Sequence, residues 1–524
     1  MFKIKPGINM KNDEKAILAI SVAIAFGMLV LFPIGYRSDS NHYIQYAFLM
    51  AGKQVENITF KVPIITPGFP VLMLLSGLTI FNSFIGIILL HLLMAIFIPV
   101  LIYRIMLTIV NREVAFYTSI GSIFSLIPFV FMKSLITEQS YMFFQFLSIY
   151  LVASYFKTHR IKYLYFMLFT LFAMGMIRSS ANLLFLIFIL MTIIFVPRKF
   201  FHSLIVLTLI IAMNVGWTYI RPGVIHIKTA VGKTSGQTGI LFFYNLYLSS
   251  NGVIKKTNGG ATEEFISTLE QYLVNNPGEI PKVGSDSIDK DFRGYFFYGR
   301  FAGNPKGLVN EMFNSPSRTY FYFMWTAMYK AVGLEKADML FLKVSLELLR
   351  KHPLSVAYFF RNFLSFTIWQ STGYYDNIDP HYRVVTIIPH IELLEAISPI
   401  TNKKWLSPHM KVELRFDPFG KVLKFVRIAI NRIWGFLFFA VRPILFMLML
   451  TSTYFLFCDN KKNRPMVCLC FLIVIYQALA ISIFVIPSVR YILHTILIEF
   501  MMIMAGAPVI INKFISKNNR QDMI

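Results

Sequence analysis

The chain is poor in charge. Only 15% of its 524 residues are Asp, Glu, Lys or Arg, where a soluble domain carries about 25%. Acidic residues are scarcest, 26 against 50 basic ones. Cysteine is almost absent. Cys458 sits at the edge of an apolar run and Cys468 and Cys470 within one, so no disulfide framework is implied. The ten histidines are scattered without metal-ligand spacing. Alternating strands of about ten residues, the mark of a membrane barrel, are missing. So is the internal repeat that transporters usually carry. Gly232-Lys233-Thr234 imitates the end of a phosphate-binding loop, but Ile227 stands where its first glycine belongs.

What remains is apolar: 56% of the residues are hydrophobic. Long apolar runs fall at about 15–34, 84–108, 114–131, 136–156, 162–177, 180–196, 201–219, 433–457, 465–486 and 491–512. Runs near twenty residues suit a hydrocarbon core about 30 Å thick. The expected fold class is therefore an all-α polytopic membrane protein, a helical bundle of about ten spans. The first run is too long for a signal peptide and lacks a small-x-small cleavage site, so an uncleaved span is expected. The net charge of +24 could suggest nucleic acid. In such a chain it marks cytoplasmic loops and anionic headgroups instead.

The basic residues also orient the spans. With Lys3, Lys5, Lys11 and Lys15 in the cytoplasm, the inside loops are Arg104 to Arg112, Lys157 to Lys162, Arg198-Lys199, Lys461 to Arg464 and the tail with Lys513, Lys517 and Arg520. Each is basic, while the short outside turns hold one cation each: Lys133, Arg178 and Arg490. This is the positive-inside pattern, with both termini cytoplasmic. Three regions follow. Residues 1–220 form an N-terminal transmembrane bundle with a first outer loop at about 36–83. Residues 221–432 form a mixed, mostly helical extracytoplasmic region, too long and polar to be a connector. Residues 433–524 supply the last spans and the tail. Pro353 to Trp369 is apolar enough for one more crossing, but that would turn Lys461 to Arg464 outward. A helix lying in the interface is expected there.

Asp39, Glu138, Arg178 and Arg490 then share the outer face, each at a helix end. Singly, each has an ordinary explanation. An Arg can anchor a helix at the headgroups, Glu138 can settle a turn with Lys133, and Asp39 can cap a helix. Together, on turns otherwise nearly devoid of charge, they point to a ligand. A helix over 39–50 puts Asp39, His42 and Tyr43 on one side. It ends at Gly52. The stretch from Pro63 to Pro70 cannot be a regular helix, and Val71 to Leu78 is too short to span.

These residues carry a resemblance. Asp39 follows the first span, with Tyr43 and Ala47 after it. Thr66-Pro67-Gly68-Phe69-Pro70 leads an apolar helix, and Thr137-Glu138 opens a span. Met176-Ile177-Arg178 closes one, and Pro487-Ser488-Val489-Arg490-Tyr491 precedes the last. Leu349-Arg350-Lys351-His352-Pro353 adds a late element. In order and sidedness the chain resembles the GT-C glycosyltransferases, among them the protein mannosyltransferases and aminoarabinose transferases. The likeness covers roughly the first two hundred residues and the last span; it does not extend to about 221–345.

The resemblance implies transfer of a hexosyl or pentosyl group from a polyprenyl-phosphate donor to a glycan, lipid or protein acceptor, typically with inversion. The setting would be the outer face of a bacterial inner membrane. Asp39 would be the general base and Glu138 would assist it. Arg178, Arg490, Arg37 and Lys133 would hold the donor phosphate, and His42, Tyr43 and Tyr491 would position substrate. A carboxylate suits a hydroxyl proton, and a leaving phosphate needs preorganised positive charge. The chain departs from the family at Ser40, where a second carboxylate is common, and at His42, where a basic residue is common. Glu56 or Glu138 could replace the missing carboxylate. No metal ligand set and no certain cofactor are implied. A divalent cation is left open at Asp376, Asp379 and His381, where a solvated loop is the simpler reading.

Two other readings compete. A polysaccharide polymerase or ligase acting on polyprenyl-linked glycans would place its key residues in the large outer region, near Arg383. A transporter or flippase would place charges and broken helices at mid-membrane, where this chain has few.

Overall fold

The structure is a computed structural model. It describes residues 10–32, 34–35, 38–55, 66–178, 184–196, 200–224, 238–247, 250, 253–277, 304–314, 316, 318–355, 407–415, 442–459, 461, 463–484 and 493–521. Among these residues the regular structure is helical. The chain divides into two compact units.

The first unit comprises Met1–Ile227, Val385–Gln477 and Val489–Ile524. It opens with α1 (Met10–Leu31), α2 (Ser38–Met50), α3 (Gly68–Leu75) and the single turn α4 (Leu78–Phe81). The long helices α5 (Ile85–Met106), α6 (Arg112–Phe124), α7 (Glu138–Thr158), α8 (Ile161–Ile177), α9 (Leu184–Phe195) and α10 (Phe200–Val224) follow. After the second unit come α16 (Pro408–Arg415), α17 (Arg442–Asp459), α18 (Arg464–Phe484) and α19 (Leu493–Gln521), numbered after the helices α11–α15 described below. Each expected apolar run thus contains a described helix. Asn12–Leu31, Ile85–Met106 and Thr495–Lys513 are long and apolar enough to cross a membrane. By length and composition these helices are those of a helical membrane protein.

The run at 114–131 does not form one helix. α6 has 13 residues, about 20 Å at 1.5 Å per residue, short of the hydrocarbon core. It stops because Leu126 adopts a left-handed conformation, φ 58°, and Pro128 follows at once. The chain then winds through a 3-10 turn at Ile127–Phe129 and reaches Lys133.

α1 packs on α5 and α6, α5 on α7, α7 on α8, and α19 on α17 and α6. The N-terminal end of α1 is pinned by ions. Asp13 accepts from Arg112 Nη2 at 2.7 Å and from Tyr103 Oη at 2.8 Å, and Glu14 pairs with Arg104 at 3.0 Å.

The second unit comprises Lys228–Val384 and Ala478–Ser488. Its described helices are α11 (Thr238–Tyr247), α12 (Gly260–Asn275), α13 (Pro305–Asn314), α14 (Arg318–Val332) and α15 (Leu334–Lys351). Most of the region expected outside the membrane lies here, while residues 385–432 group with the first unit. Aromatic rings fill the core. Phe243 lies 5.0 Å from Phe341, and Phe265 lies 4.9 Å from Phe341, centroid to centroid. Two carboxylates of α15 hold neighbouring helices by their N-termini. Asp338 accepts from Ile240 N at 2.9 Å, and Glu347 accepts from Ala261 N and Thr262 N at 2.9 and 2.8 Å. Both satisfy amides that a helix start leaves orphaned. Of the expected interfacial helix at 353–369, only Pro353–Ser355 is described, as a 3-10 turn.

Candidate functional site

The site is built where α1 ends. Gly35 N donates to Lys133 O at 2.8 Å, and Leu135 N donates to Gly35 O at 2.8 Å. This short parallel bridge joins the strand-like residues between α1 and α2 to those just before α7. Three residues on from it α2 begins, with Asp39 in its first turn. Three residues on from the other side α7 begins, with Glu138 as its first residue. Two helix starts, each bearing a sequence-selected carboxylate, are thereby joined through backbone alone. The side chain of Asp39 lies outside the description. Glu138 is 4% exposed, at the N-terminal end of α7.

Lys133, expected to meet a phosphate, is 9% exposed, and its ammonium donates to Leu29 O at 2.8 Å and to Phe32 O. These carbonyls belong to the end of α1, where four acceptors lack intrahelical partners. A cation there also favours the helix dipole. The described contacts of Lys133 therefore tie it to the α1 terminus.

Arg178 follows α8 directly. Its guanidinium carbon lies 5.4 Å from the centre of the Tyr141 ring. Tyr141 is one turn beyond Glu138 on α7, on the same side of the helix. Its hydroxyl accepts from Gln477 Nε2 of α18. Further down that side, Ser148 donates to Thr170 of α8 at 2.8 Å. Glu138, Tyr141, Gln145 and Ser148 thus form a buried polar row between two apolar helices. The Gln145 amide makes no hydrogen bond to the described residues.

The proline-rich motif meets the same place. Thr66 Oγ1 donates to Ile177 O at 2.8 Å, filling an acceptor at the C-terminal end of α8. A Cβ on Gly68 would lie 2.5 Å from the Met176 carbonyl carbon, so only glycine lets α3 approach α8 this closely. Thr66-Pro67-Gly68 and Met176-Ile177-Arg178, separate in sequence, are in contact. Below them Tyr43 meets Phe69 edge-on at 5.2 Å, and Phe69 stacks on His91 at 5.6 Å. His91 Nε2 is 2.9 Å from Ser140 Oγ on α7. Tyr43 is thus a packing contact of α2 on α3. His42 is buried on the same helix.

Another clamp fixes the far side of this group. Glu413 of α16 accepts from Phe84 N at 2.7 Å and from Ser83 Oγ at 2.5 Å, tying α16 to the residues just ahead of α5. Met410, one turn earlier, is fully buried among Phe48, Phe69 and Met73.

The elements bearing Asp39, Glu138 and Arg178 therefore join at one end of the first unit. Arg37, Glu56, Arg490, Tyr491, Asp376, Asp379, His381 and Arg383 lie outside the described residues. Among the described residues no group of three or more His, Cys, Asp or Glu could hold a metal ion. Tyr141, Gln477, His91 and Glu413 were not singled out from sequence. For the first three a signal existed: a polar side chain within an apolar run needs a partner. No protein-family profile matches the chain, and no curated protein is significantly similar to it.

Proposed function

We propose that the protein is a membrane glycosyltransferase that moves a sugar from a polyprenyl-phosphate donor to an acceptor on the outer side of a bacterial inner membrane. The observation that carries this reading is the backbone bridge at Gly35, which sets the entry of α2 beside the entry of α7. It brings two carboxylate-bearing helix starts together beside Arg178, which lies over Tyr141 of α7. Asp39 takes the acceptor hydroxyl proton as general base, and Glu138 positions it. Arg178 and Arg490 hold the phosphate as it leaves, by charge and fixed donor geometry. In this reading about ten spans cross the membrane, both termini are cytoplasmic, and lipid reaches the site from the side.

The test uses the host cell. Deleting the gene and restoring it removes and returns one sugar modification of an envelope glycan, lipid or protein, read by mass spectrometry. Asp39→Asn, made and inserted at wild-type level, fails to restore it. A normal profile from Asp39→Asn would overturn the assignment of the base. A profile unchanged by the deletion would overturn the activity.

A further inference from the structure

The face of α15 that turns away from the aromatic core carries an unassigned pattern. Met339, Lys343, Leu346 and Arg350 are exposed and recur at i, i+4, i+7 and i+11. That spacing aligns them in one narrow stripe along the helix. Met339 is 48% exposed and Leu346 54%, and Leu354, just past the helix, is 87% exposed. The opposite face, with Leu340, Phe341, Val344 and Leu348, is buried. Beyond the exposed Glu335 at its head the stripe therefore alternates long apolar and long basic side chains, and Lys351 is exposed in the last turn of the helix.

The neighbouring surface of the same unit differs. α12 exposes Glu263, Glu264, Ser267 and Gln271, a face mostly polar and acidic, with Val274 the one large apolar side chain exposed on it. Lys336, beside the head of the stripe, is used within the unit, 3.1 Å from Glu264.

We propose that this stripe is a membrane-docking surface that takes anionic phospholipid headgroups. Its chemistry fits them on both counts. Met339, Leu346 and Leu354 can enter the boundary between headgroups and acyl chains, while Lys343, Arg350 and Lys351 extend to phosphate. Basic side chains at that level are attracted by anionic lipid over about one Debye length. A stripe this small would not hold a soluble protein on a bilayer. Here the chain is already anchored by its spanning helices, so docking is intramolecular and needs little affinity of its own. The inference rests on the membrane class alone, and not on the glycosyltransferase reading.

The test uses the full chain in lipid nanodiscs, with Cys458, Cys468 and Cys470 replaced by Ala and one reporter cysteine labelled with bimane. Reporters are placed at Leu346→Cys, at Met339→Cys in case the first disturbs folding, and at Ser267→Cys on the acidic face as control. Discs contain phosphatidylcholine alone or mixed with phosphatidylglycerol, with a headgroup spin-labelled lipid as quencher. The expected result is quenching several-fold stronger at 346 and 339 than at 267, rising with phosphatidylglycerol and falling with salt. Lys343→Glu with Arg350→Glu lowers it to the control level. Equal quenching at all three sites, or quenching indifferent to phosphatidylglycerol, would overturn the proposal. So would a blue-shifted reporter that the spin label does not quench, since a protein would then cover the stripe.

Discussion

Arg178 rests over the ring of Tyr141, with its guanidinium carbon 5.4 Å from the centroid, and Gln477 holds the hydroxyl of that tyrosine. Three helices, α7, α8 and α18, so fix the position of one cation. A cation–π contact of this kind is made more often by guanidinium than by ammonium. If Arg178 holds a leaving phosphate, Tyr141→Leu should slow transfer by roughly two- to thirtyfold, the worth of one cation–π contact. Tyr141→Phe keeps the ring and should slow it less. Arg178→Lys keeps the charge but should resemble Arg178→Ala more than wild type. Initial rates of polyprenyl-phosphate release, compared across the four variants, check the order.

Lys133 is expected to act on stability. Replacing it by Met removes two hydrogen bonds and the cation from the end of α1, a loss of about 1–3 kcal/mol. Melting of the purified protein in detergent should fall accordingly.

Gly68→Ala probes the joint between the proline-rich motif and α8. The added methyl would sit 2.5 Å from the Met176 carbonyl carbon, and backbone must move to admit it. Overpacking of this kind costs about 1–3 kcal/mol. A lower melting temperature with activity reduced below the stability loss is the expected outcome, since Arg178 follows the displaced turn.

These contacts mark where sequence stops being informative. Apolar runs locate helices because a run of helical length has few other ways to satisfy its backbone in lipid. The proline-rich motif and the Met176–Arg178 corner were each legible, but nothing local says that they touch. Tyr141 and Gln477 lie 336 residues apart, and only the folded bundle pairs them. α6 was overestimated because its run stays apolar through Leu126 and Pro128 while the backbone turns there. Lys133 reads as an outer cation, and nothing local shows that its ammonium also donates to the end of α1.

Acid should separate the two carboxylates of α15. Burial pushes Glu347 up, but the hydrogen bonds from Thr262 and Ala261 outweigh it and hold the group below its ordinary 4.5. Its contribution is therefore complete above that value and is lost as pH falls through the lowered one. Asp338 runs the other way. Burial raises it above 3.8, only partly opposed by the amides of Ile240 and Gly239. Its contribution is greatest below that value and is lost as pH rises through the raised one. Glu347→Gln should flatten the acid loss of stability in the second unit, and Asp338→Asn should steepen it. Melting curves of the full chain from about pH 3.5 to 6, for both variants and wild type, show the two slopes.

The bridge at Gly35 has a bearing on how such a chain can vary. Its two bonds run between main-chain atoms of Gly35, Lys133 and Leu135, so side-chain replacement at Lys133 or Leu135 leaves the donors and acceptors in place. A one-residue insertion or deletion cannot be absorbed in the same way. Between the bridge and the start of α2 or of α7 it would change the number of residues separating the two helix entries, and so shift one carboxylate against the other. Spacing, rather than residue identity, is what this corner of the protein must inherit.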